Sequence, residues 1–340
     1  MAEVGIYILI FLATLSGVEL FRHWSLRRSL FDVPNERSSH TEPTPRGGGL
    51  VIVIVCLIAY SALTFFSNGR FNYGYLIGAS LIALISWLDD LFSISIIWRF
   101  LVHSLAALIA IGSLGYFGEI YFPFYQTVSI GSAGFLLTFF WIVWLTNAYN
   151  FMDGIDGLAG IQAVTAGFGW LLVGKFFGAE TFGFYGGVLM FSSLGFLIKN
   201  WQPAKIFMGD VGSAFLGYTF AVMPLLMQNE LPPAFEKRAI LLPFAVLLVW
   251  LFAFDTLWTF ARRVLKKEKV WEAHREHLYQ RMVIGGLSHQ FVSGLYGIFS
   301  ILTVLCVFLS LERKYFENFT LVFVGLQSIV LILWRRFFRN

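Results

Sequence analysis

Long apolar runs alternate with short polar segments along the whole chain. A bilayer-spanning helix needs about 20 mostly apolar residues. Eleven runs of roughly that length follow one another, at 4–21, 48–67, 73–88, 98–114, 132–148, 158–175, 181–198, 212–228, 239–261, 290–310 and 318–334. The pattern predicts an all-α polytopic integral membrane protein with about 11 transmembrane helices, built as a single membrane-embedded domain over residues 1–340.

The composition supports this interpretation. Hydrophobic residues make up 58% of the chain and charged residues only 13%, against about 25% charged in soluble domains. Cys56 and Cys306 lie inside apolar runs, which favours packed small side chains over a disulfide or a metal pair. The first residues lack the basic segment of a cleaved signal peptide, so we expect a retained first helix.

Basic residues predict the orientation in the membrane. The segments 22–47, 89–97, 149–157, 199–211, 262–289 and 335–340 hold 18 of the 24 Lys and Arg when Arg99 is counted with its adjacent loop. Because Lys and Arg favour the cytoplasmic side, we expect the N-terminus outside and the C-terminus in the cytoplasm. The positive net charge then reflects topology rather than a nucleic-acid partner.

Five aspartates fall in three of the predicted inner loops: Asp89, Asp90, Asp153, Asp156 and Asp210. Acids near a membrane are costly and are a functional hypothesis by default. Alternating helices place these loops on one membrane face, where the acids can converge. Mg²⁺ prefers one or two carboxylates completed by water and substrate phosphates, and helix N-termini offer amide groups to phosphate. The alternative is that each aspartate only caps a helix.

Two other inner loops carry basic and glycine-rich sequence. In the first, Arg46 precedes Gly47–Gly49, and both Arg37 and Arg46 could meet phosphate or a carboxylate. In 262–289, we expect an amphipathic surface helix whose His274 and His277 contact an anionic group, with a solvated helix or a metal pair as alternatives.

Two polar residues lie within apolar runs. Asp255 should pair with an Arg or His of the 262–289 loop, because an isolated buried aspartate is expensive. His103 interrupts the run 98–114 and is interpreted as a packed, hydrogen-bonded histidine.

Three motifs resemble one known family. They are Asp89-Asp90, the stretch 147–157 (Asn-Ala-Tyr-Asn-Phe-Met-Asp-Gly-Ile-Asp-Gly), and Asn200 followed after six residues by Phe-Met-Gly-Asp-Val-Gly-Ser at 207–213. In order and loop position they resemble the polyprenyl-phosphate N-acetylhexosamine-1-phosphate transferases, the family of MraY and WecA. The resemblance extends over nearly the whole chain.

The resemblance implies a reaction and its partners. A UDP-linked amino sugar would give its sugar-1-phosphate to undecaprenyl phosphate and release UMP, with Mg²⁺ (or Mn²⁺) as cofactor. The enzyme would lie in the bacterial inner membrane with its site facing the cytoplasm, as a possible homodimer, and would initiate an O-antigen-like cell-envelope glycan. The alternative from another class is an ion-coupled transporter with an acidic site. A transporter would place its acids near the midplane and show related halves, and this chain shows neither.

The resemblance also assigns residues to roles. Those implied for catalysis are Asp89, Asp90, Asp153, Asp156 and His277. Those implied for the metal are Asp210 and Asp153. Those implied for substrate binding are Arg46, Gly47, Gly48, Asn150, Asn200, Phe207, His274 and Arg281.

One departure from the family pattern concerns the sugar. Many relatives carry Asp-x-x-His-x-His-His where this chain has His-Arg-Glu-His-Leu-Tyr-Gln at 274–280, so only His277 keeps its place. This run and residues 31–49 look more like the O-antigen-initiating branch typified by WbpL, which implies N-acetylglucosamine-like or 6-deoxy amino sugars such as N-acetylfucosamine or N-acetylquinovosamine.

Overall fold

Helices dominate a computed structural model of the chain, which describes residues 2–34, 42–66, 72–122, 126–232, 236–269, 274–312 and 316–337. The α-helices are α1 (Ala2–Arg28), α2 (Gly49–Phe66), α3 (Tyr73–Phe92), α4 (Ile96–Leu114), α5 (Ala133–Phe151), α6 (Leu158–Phe177), α7 (Glu180–Asn200), α8 (Asp210–Glu230), α9 (Leu241–Leu248), α10 (Trp250–Leu265), α11 (Leu278–Ile284), α12 (His289–Glu312) and α13 (Phe316–Phe337). A 3₁₀ helix, Glu236–Ile240, precedes α9.

Every predicted apolar run coincides with helix. By length and composition, eight of the described helices can cross a membrane, and the bent pair α9–α10 raises that number to nine. Helix α5 and the shorter apolar stretch Asn318–Trp334 are not among them, and the number of eleven spans stays a prediction. The all-α membrane fold is confirmed. Two small ribbons, β1 (Phe31–Asp32) with β2 (Thr44–Pro45) and β3 (Glu119–Phe122) with β4 (Gln126–Ser129), add antiparallel strands that the apolar pattern did not predict.

Helix α8 forms the centre of the molecule. Within its apolar window 94% of the residues are buried, compared with 17% in α1 and 28% in α4. It packs against α3 and α5. A helix that is apolar on all sides must be surrounded by protein or lipid, so α8 is the internal axis and its N-terminus at Asp210 is fixed by neighbours on several sides.

Close backbone contact fixes the glycine-rich turn against α8. A Cβ atom on Gly49 would lie 2.4 Å from the Gly212 Cα. The amides of Gly48 and Gly49 donate to the carbonyls of Phe207 and Met208, at 2.9 Å each. Only glycine permits this approach, and it brings the 42–49 segment beside the start of α8.

The predicted span 239–261 is not one continuous helix, because the helix breaks at Val249. The axes of the two parts differ by 72°, and Val249 has φ −117° and ψ 23°. The carbonyl of Leu248 accepts a hydrogen bond from the buried Gln162 side chain at 2.9 Å. Because α6 supplies this partner, the Leu248 carbonyl at the break remains hydrogen-bonded in the apolar interior.

Carboxylates from distant elements cap three helices. Glu230 accepts from the amides of Thr181 and Phe182 at the start of α7, at 2.9 and 3.0 Å. The carboxylates of Asp90 and Asp255 do the same for α8 and α11. The first amides of a helix need acceptors, and acceptors from another helix also fix how the two helices sit against each other.

Both cysteines are free and buried, as expected for packed small residues.

Candidate active site

Arg99, at the start of α4, lies at the centre of an acidic cluster. Its Nη1 is 2.5 Å from Asp89 Oδ2, and its Nη2 is 3.1 Å from Asp210 Oδ2. Nη2 also donates to Asn150 Oδ1 at 3.3 Å. Four helices, α3, α4, α5 and α8, therefore meet at one guanidinium. The sequence analysis treated Arg99 only as a topology signal, and its place ten residues after Asp89 at an inner helix start was the available clue.

Asp90 fixes the start of α8. Its carboxylate accepts from the amides of Asp210 at 3.0 Å and Val211 at 3.1 Å. Arg46 Nη2 lies 3.2 Å from the same carboxylate, and only 2% of the Asp90 side chain is exposed. The amides of Asp210 and Val211 are thus occupied by Asp90. They are not free to bind phosphate, which the sequence had led us to expect. Asp90 and Arg46 position the site, and their predicted catalytic and binding roles would require these contacts to open.

Asp153 and Asp156, which share one loop, have different surroundings. The Asp156 carboxylate accepts from the Ala204 amide at 3.0 Å and lies 3.2 Å from His289 Nδ1. Its backbone carbonyl accepts from Ser293. Asp156 is therefore a buried anchor between loops, and it does not cap α6, which begins after Gly157 without a side-chain cap. His289 and Ser293 were not found by the sequence analysis.

The Asp153 carboxyl faces the other acids. Exclusion of water by the surrounding protein raises its pKa well above the usual range, and the carboxylates of Asp210, Asp90 and Asp156 raise it further. Among the ion pairs of the described residues, Asp89, Asp90 and Asp210 contact only two guanidiniums, those of Arg46 and Arg99, and Asp153 contacts none. With all four carboxylates ionised, two negative charges would be left without a counter-charge, a deficit that one divalent cation would match.

This surplus charge predicts a pH effect on stability. A carboxyl whose folded pKa is raised favours folding at low pH, and that contribution disappears as pH rises from the unfolded value near 4 through the folded pKa. The melting temperature of the wild type, minus that of Asp153→Asn, should therefore fall as pH rises in EDTA. Thermal melts from pH 4 to 8 measure this difference in melting temperature. A difference that stays constant or rises with pH would contradict a raised pKa of Asp153 in the folded protein.

Asn200 holds two inner loops together. Its Oδ1 accepts from the Gly157 amide and its Nδ2 donates to the Ile206 carbonyl, both at 3.0 Å, and only 2% of the residue is exposed. Its amide is engaged at both ends, so in this structure it supports the loops instead of facing a ligand. Phe207 is partly buried, and its amide donates to the Pro45 carbonyl at 2.8 Å.

Gly47 and Gly48 are buried in the packing of their turn. A Cβ on Gly47 would lie 2.9 Å from the Trp87 ring, and one on Gly48 would lie 3.0 Å from Phe196. Gly47 also has φ +92°, which other residues rarely adopt. Their predicted contact with substrate could only be made by backbone atoms.

The 262–289 segment does not form the predicted amphipathic helix. Within its described residues α10 ends at Leu265 and only the seven-residue α11 follows. Leu278, Tyr279 and Met282 are buried in the protein, so this helix packs inward rather than lying on a lipid surface. Residues 35–41, including Arg37, and residues 270–273 lie outside the described part of the chain.

Asp255 anchors this segment. Its carboxylate lies 3.1 Å from His277 Nδ1 and accepts from the amides of Leu278 at 2.8 Å and Tyr279 at 3.2 Å. The predicted pairing of Asp255 with a histidine of this loop is confirmed. His277 is 5% exposed and is held by this contact. The Tyr279 hydroxyl donates to the Phe151 carbonyl at 3.0 Å, which joins the segment to the end of α5.

A cavity of about 410 Å³ opens between α5 and α10 beside this segment. Its polar lining residues include Asn147, Arg263, His274 and His277, and its apolar ones are Trp144, Ala148, Phe151, Leu257 and Phe260. Burial and the nearby His277 and Arg263 lower the pKa of His274 to about 4. At neutral pH this histidine offers hydrogen bonds and no charge.

Arginines surround Glu276 next to this cavity. Its carboxylate lies 2.5 Å from Arg262 Nη2 and 3.4 Å from Arg281 Nη2. Burial opposes ionisation of Glu276, but Arg262, Lys266 and Arg281 outweigh it and lower its pKa. Arg281 is 40% exposed on its side chain, so it is available to an anionic ligand only in competition with Glu276.

No described group of three or more His, Cys, Asp or Glu side chains could hold a metal by itself. Mg²⁺ in proteins is often held by one or two carboxylates and completed by phosphate and water. The donors that fit are Asp210 and Asp89, the two carboxylates that Arg99 now bridges.

Comparison with known proteins adds to this geometry. The model of the family "Glycosyl transferase family 4" matches residues 72–228, which contain the whole acidic cluster. A probable undecaprenyl-phosphate N-acetylglucosaminyl 1-phosphate transferase of Bacillus subtilis is 32% identical over 287 residues, covering 84% of this chain and 78% of that protein.

Two further relatives have names that indicate different substrates. A decaprenyl-phosphate N-acetylglucosaminephosphotransferase of Mycobacterium leprae is 30% identical and covers 76% of this chain and 71% of its own length. A phospho-N-acetylmuramoyl-pentapeptide-transferase of Streptococcus pneumoniae is 30% identical, covering 66% of this chain and 73% of that protein.

Proposed function

Because the chain belongs to glycosyl transferase family 4, we propose that it transfers a sugar-1-phosphate from a UDP-N-acetylamino sugar to undecaprenyl phosphate and releases UMP. The observation that carries the proposal is the cluster of Asp89, Asp90, Asp153 and Asp210 around two arginines at one end of the helices. The names of two relatives, which contain undecaprenyl phosphate and decaprenyl phosphate, support the same reaction.

The chemistry is a displacement at the β-phosphorus of the nucleotide sugar. An oxygen of the lipid phosphate forms a new P–O bond, and the bond to the UMP oxygen breaks. A phosphate monoester has a second pKa near 6, so at neutral pH most of the acceptor is already ionised and needs no base. Such transfers depend mainly on positioning and charge stabilisation.

Mg²⁺ would bind Asp210, with Asp89 as the second donor, and would neutralise charge developing on the transferred phosphoryl group. The protein residues then have distinct tasks. Arg99 and Asn150 hold the phosphate-facing side, and Asp90 with Arg46 keeps α8 in place. When ionised, Asp153 would add to the negative charge of the cluster and so favour a bound cation. Mn²⁺ suits the same oxygen donors.

The cavity between α5 and α10 suits the lipid acceptor. Leu257, Phe260 and Phe151 beside it are 53%, 54% and 58% exposed, which favours contact with hydrocarbon. Arg263, His274 and His277 lie among the same lining residues. An apolar groove with a polar end fits a chain that carries a phosphate, and the 274–281 segment would also contact the sugar.

Three finer points belong to this proposal. The sugar is N-acetylglucosamine-like, as two relatives' names support, or a 6-deoxy amino sugar. The product starts a lipid-linked glycan of the cell envelope, such as an O-antigen. The enzyme works in the bacterial inner membrane, where we expect a homodimer. The test is transfer of label from a panel of UDP-[³H]N-acetyl sugars into butanol-extractable lipid, with and without Mg²⁺. Failure of folded protein with every sugar would overturn the proposal, and an ion-coupled transporter would then be the alternative.

The cytoplasmic location of the site predicts a labelling pattern. Single cysteines at Ile155 and Arg275 should react with an impermeant maleimide only after the membrane is opened, because their loops lie on the positively charged side. A cysteine at Glu119, in the β3–β4 ribbon, serves as the matched outer position and should react in intact cells. Labelling of position 155 from outside would contradict the orientation.

A further inference from the structure

His103 is a buried polar residue that the proposed chemistry does not use. It is 1% exposed, and neither of its ring nitrogens makes a hydrogen bond of good geometry in the described part of the chain; the Asn147 side chain is the one polar group within reach among the described residues. Buried polar atoms are nearly always hydrogen-bonded, and an exception calls for an explanation. The sequence analysis expected a packed, hydrogen-bonded histidine here, and only the packing is observed.

His103 lies one helical turn after Arg99 on α4. Residues four apart lie on the same face of a helix, and side chains lean toward the helix N-terminus, so the His103 ring points toward the acidic cluster. The ring is close enough to Arg99 and Asp210 to interact electrostatically with both, and the Asn147 side chain is its polar neighbour. Ser86, one turn below Asp89 on α3, is also 1% exposed with an unpartnered hydroxyl among the described atoms.

The hydrogen bonds of Arg99 show which proton needs a second acceptor. Nη1 is held by Asp89. Nη2 has two N–H groups; it donates to Asn150 and forms an ion pair with Asp210 Oδ2 at 3.1 Å. A cation on Asp210 would repel the guanidinium and take the oxygen that Nη2 now uses. The second N–H would then lack a partner in a buried place, where an unmet donor is costly.

We propose that His103 is a positioning residue that accepts this second Nη2 hydrogen of Arg99, directly or through one buried water, when a divalent cation occupies Asp210. Arg99 thus contacts Asp210 when no cation is bound and moves away from Asp210 when the cation binds. A ring nitrogen of His103 is the hydrogen-bond acceptor for the Arg99 guanidinium in this second position. This inference rests on the cation of the proposed function.

Removing the acceptor should weaken cation binding. Without His103 the guanidinium has no second partner, so it stays on Asp210 and competes with the cation. The full chain in lipid nanodiscs, without substrates, is titrated with Mn²⁺ and followed by electron paramagnetic resonance. His103→Phe should weaken Mn²⁺ about 10-fold, the loss expected for one hydrogen bond to a charged group. His103→Gln, which keeps an acceptor, should stay within about 2-fold of the wild type.

The controls separate this role from a structural one. His23→Phe makes the same change at a histidine that is 56% exposed on α1, and it should leave Mn²⁺ affinity unchanged. Arg99→Ala removes the competitor, so it should bind Mn²⁺ more tightly than the wild type, and adding His103→Phe should then have no further effect. Melting temperatures in EDTA check that each variant folds.

Several results would overturn the inference: wild-type affinity in His103→Phe, an equal loss in His103→Gln, or weaker Mn²⁺ binding in Arg99→Ala. The comparison of Arg99→Ala with the wild type does not depend on whether His103→Phe folds. No Mn²⁺ binding by the wild type would instead contradict the cation of the proposed function, so the two failures can be told apart.

Discussion

Replacing Asp210 by asparagine is expected to lower Mg²⁺-dependent transfer at least about 100-fold, because the variant loses the carboxylate that we propose as the main ligand of the cation. Metal ions supply several kcal/mol of transition-state stabilisation, and each 1.36 kcal/mol is a factor of ten in rate. The side chain of Asp210 is 33% exposed and its Oδ2 contacts Arg99. Its amide, which Asp90 caps, is unchanged in the variant, so the fold should persist. Transfer rates over a range of Mg²⁺ concentrations measure the effect.

Glu119→Gln is the matched control for this substitution. Glu119 is an exposed acid of the β3–β4 ribbon. Glu119→Gln therefore removes one negative charge, as Asp210→Asn does, but at a site away from the cluster. Its activity should equal that of the wild type. An Asp210→Asn protein with the same melting temperature and full activity would remove Asp210 from the cation site.

Replacing Asp255 by alanine should have the largest effect on stability. The residue is fully buried and accepts from His277, two backbone amides, Tyr296 and Thr259. Removing one partner of a buried charge network costs about 3–5 kcal/mol, which corresponds to a fall of roughly 10 °C in melting temperature. Because α11 and the 274–281 segment lose their anchor, activity should fall as well.

Thr256→Ala provides the comparison on the same helix. Thr256 is buried like Asp255, but its hydroxyl donates only to carbonyls of its own helix. Its loss should cost about 1 kcal/mol. Thermal melts of both variants in one detergent decide the point, and equal shifts would show that the Asp255 network does not stabilise the fold.

The helices and the convergence of the acids could be predicted because both follow from apolar length and charge bias. A run of apolar residues at a membrane forms a helix whatever surrounds it, and alternating helices bring Asp89 and Asp210 to one face. The break at Val249 could not be predicted, since Gln162 from α6 satisfies the freed carbonyl. Such compensation comes from residues far away in the chain.

The individual tasks of the polar residues were harder to predict. A sequence shows that Asp90, Asp156, Asn200 and Asp255 are polar, but their bonding depends on which backbone amides the fold brings beside them. All four serve as anchors between elements here. Arg99 was missed for the opposite reason: an arginine at the start of an inner helix looks like a topology signal until its carboxylate partners are known.

The most direct test of the central claim is a double-label transfer by the purified protein. A UDP-N-acetylamino sugar carrying ³H in the sugar and ³²P in the β-phosphate is supplied with undecaprenyl phosphate and Mg²⁺. Transfer of a sugar-1-phosphate predicts both labels in the extracted lipid in their starting ratio, with UMP released in equal amount. Lipid that carries ³H without ³²P, with UDP as the released nucleotide, would contradict it.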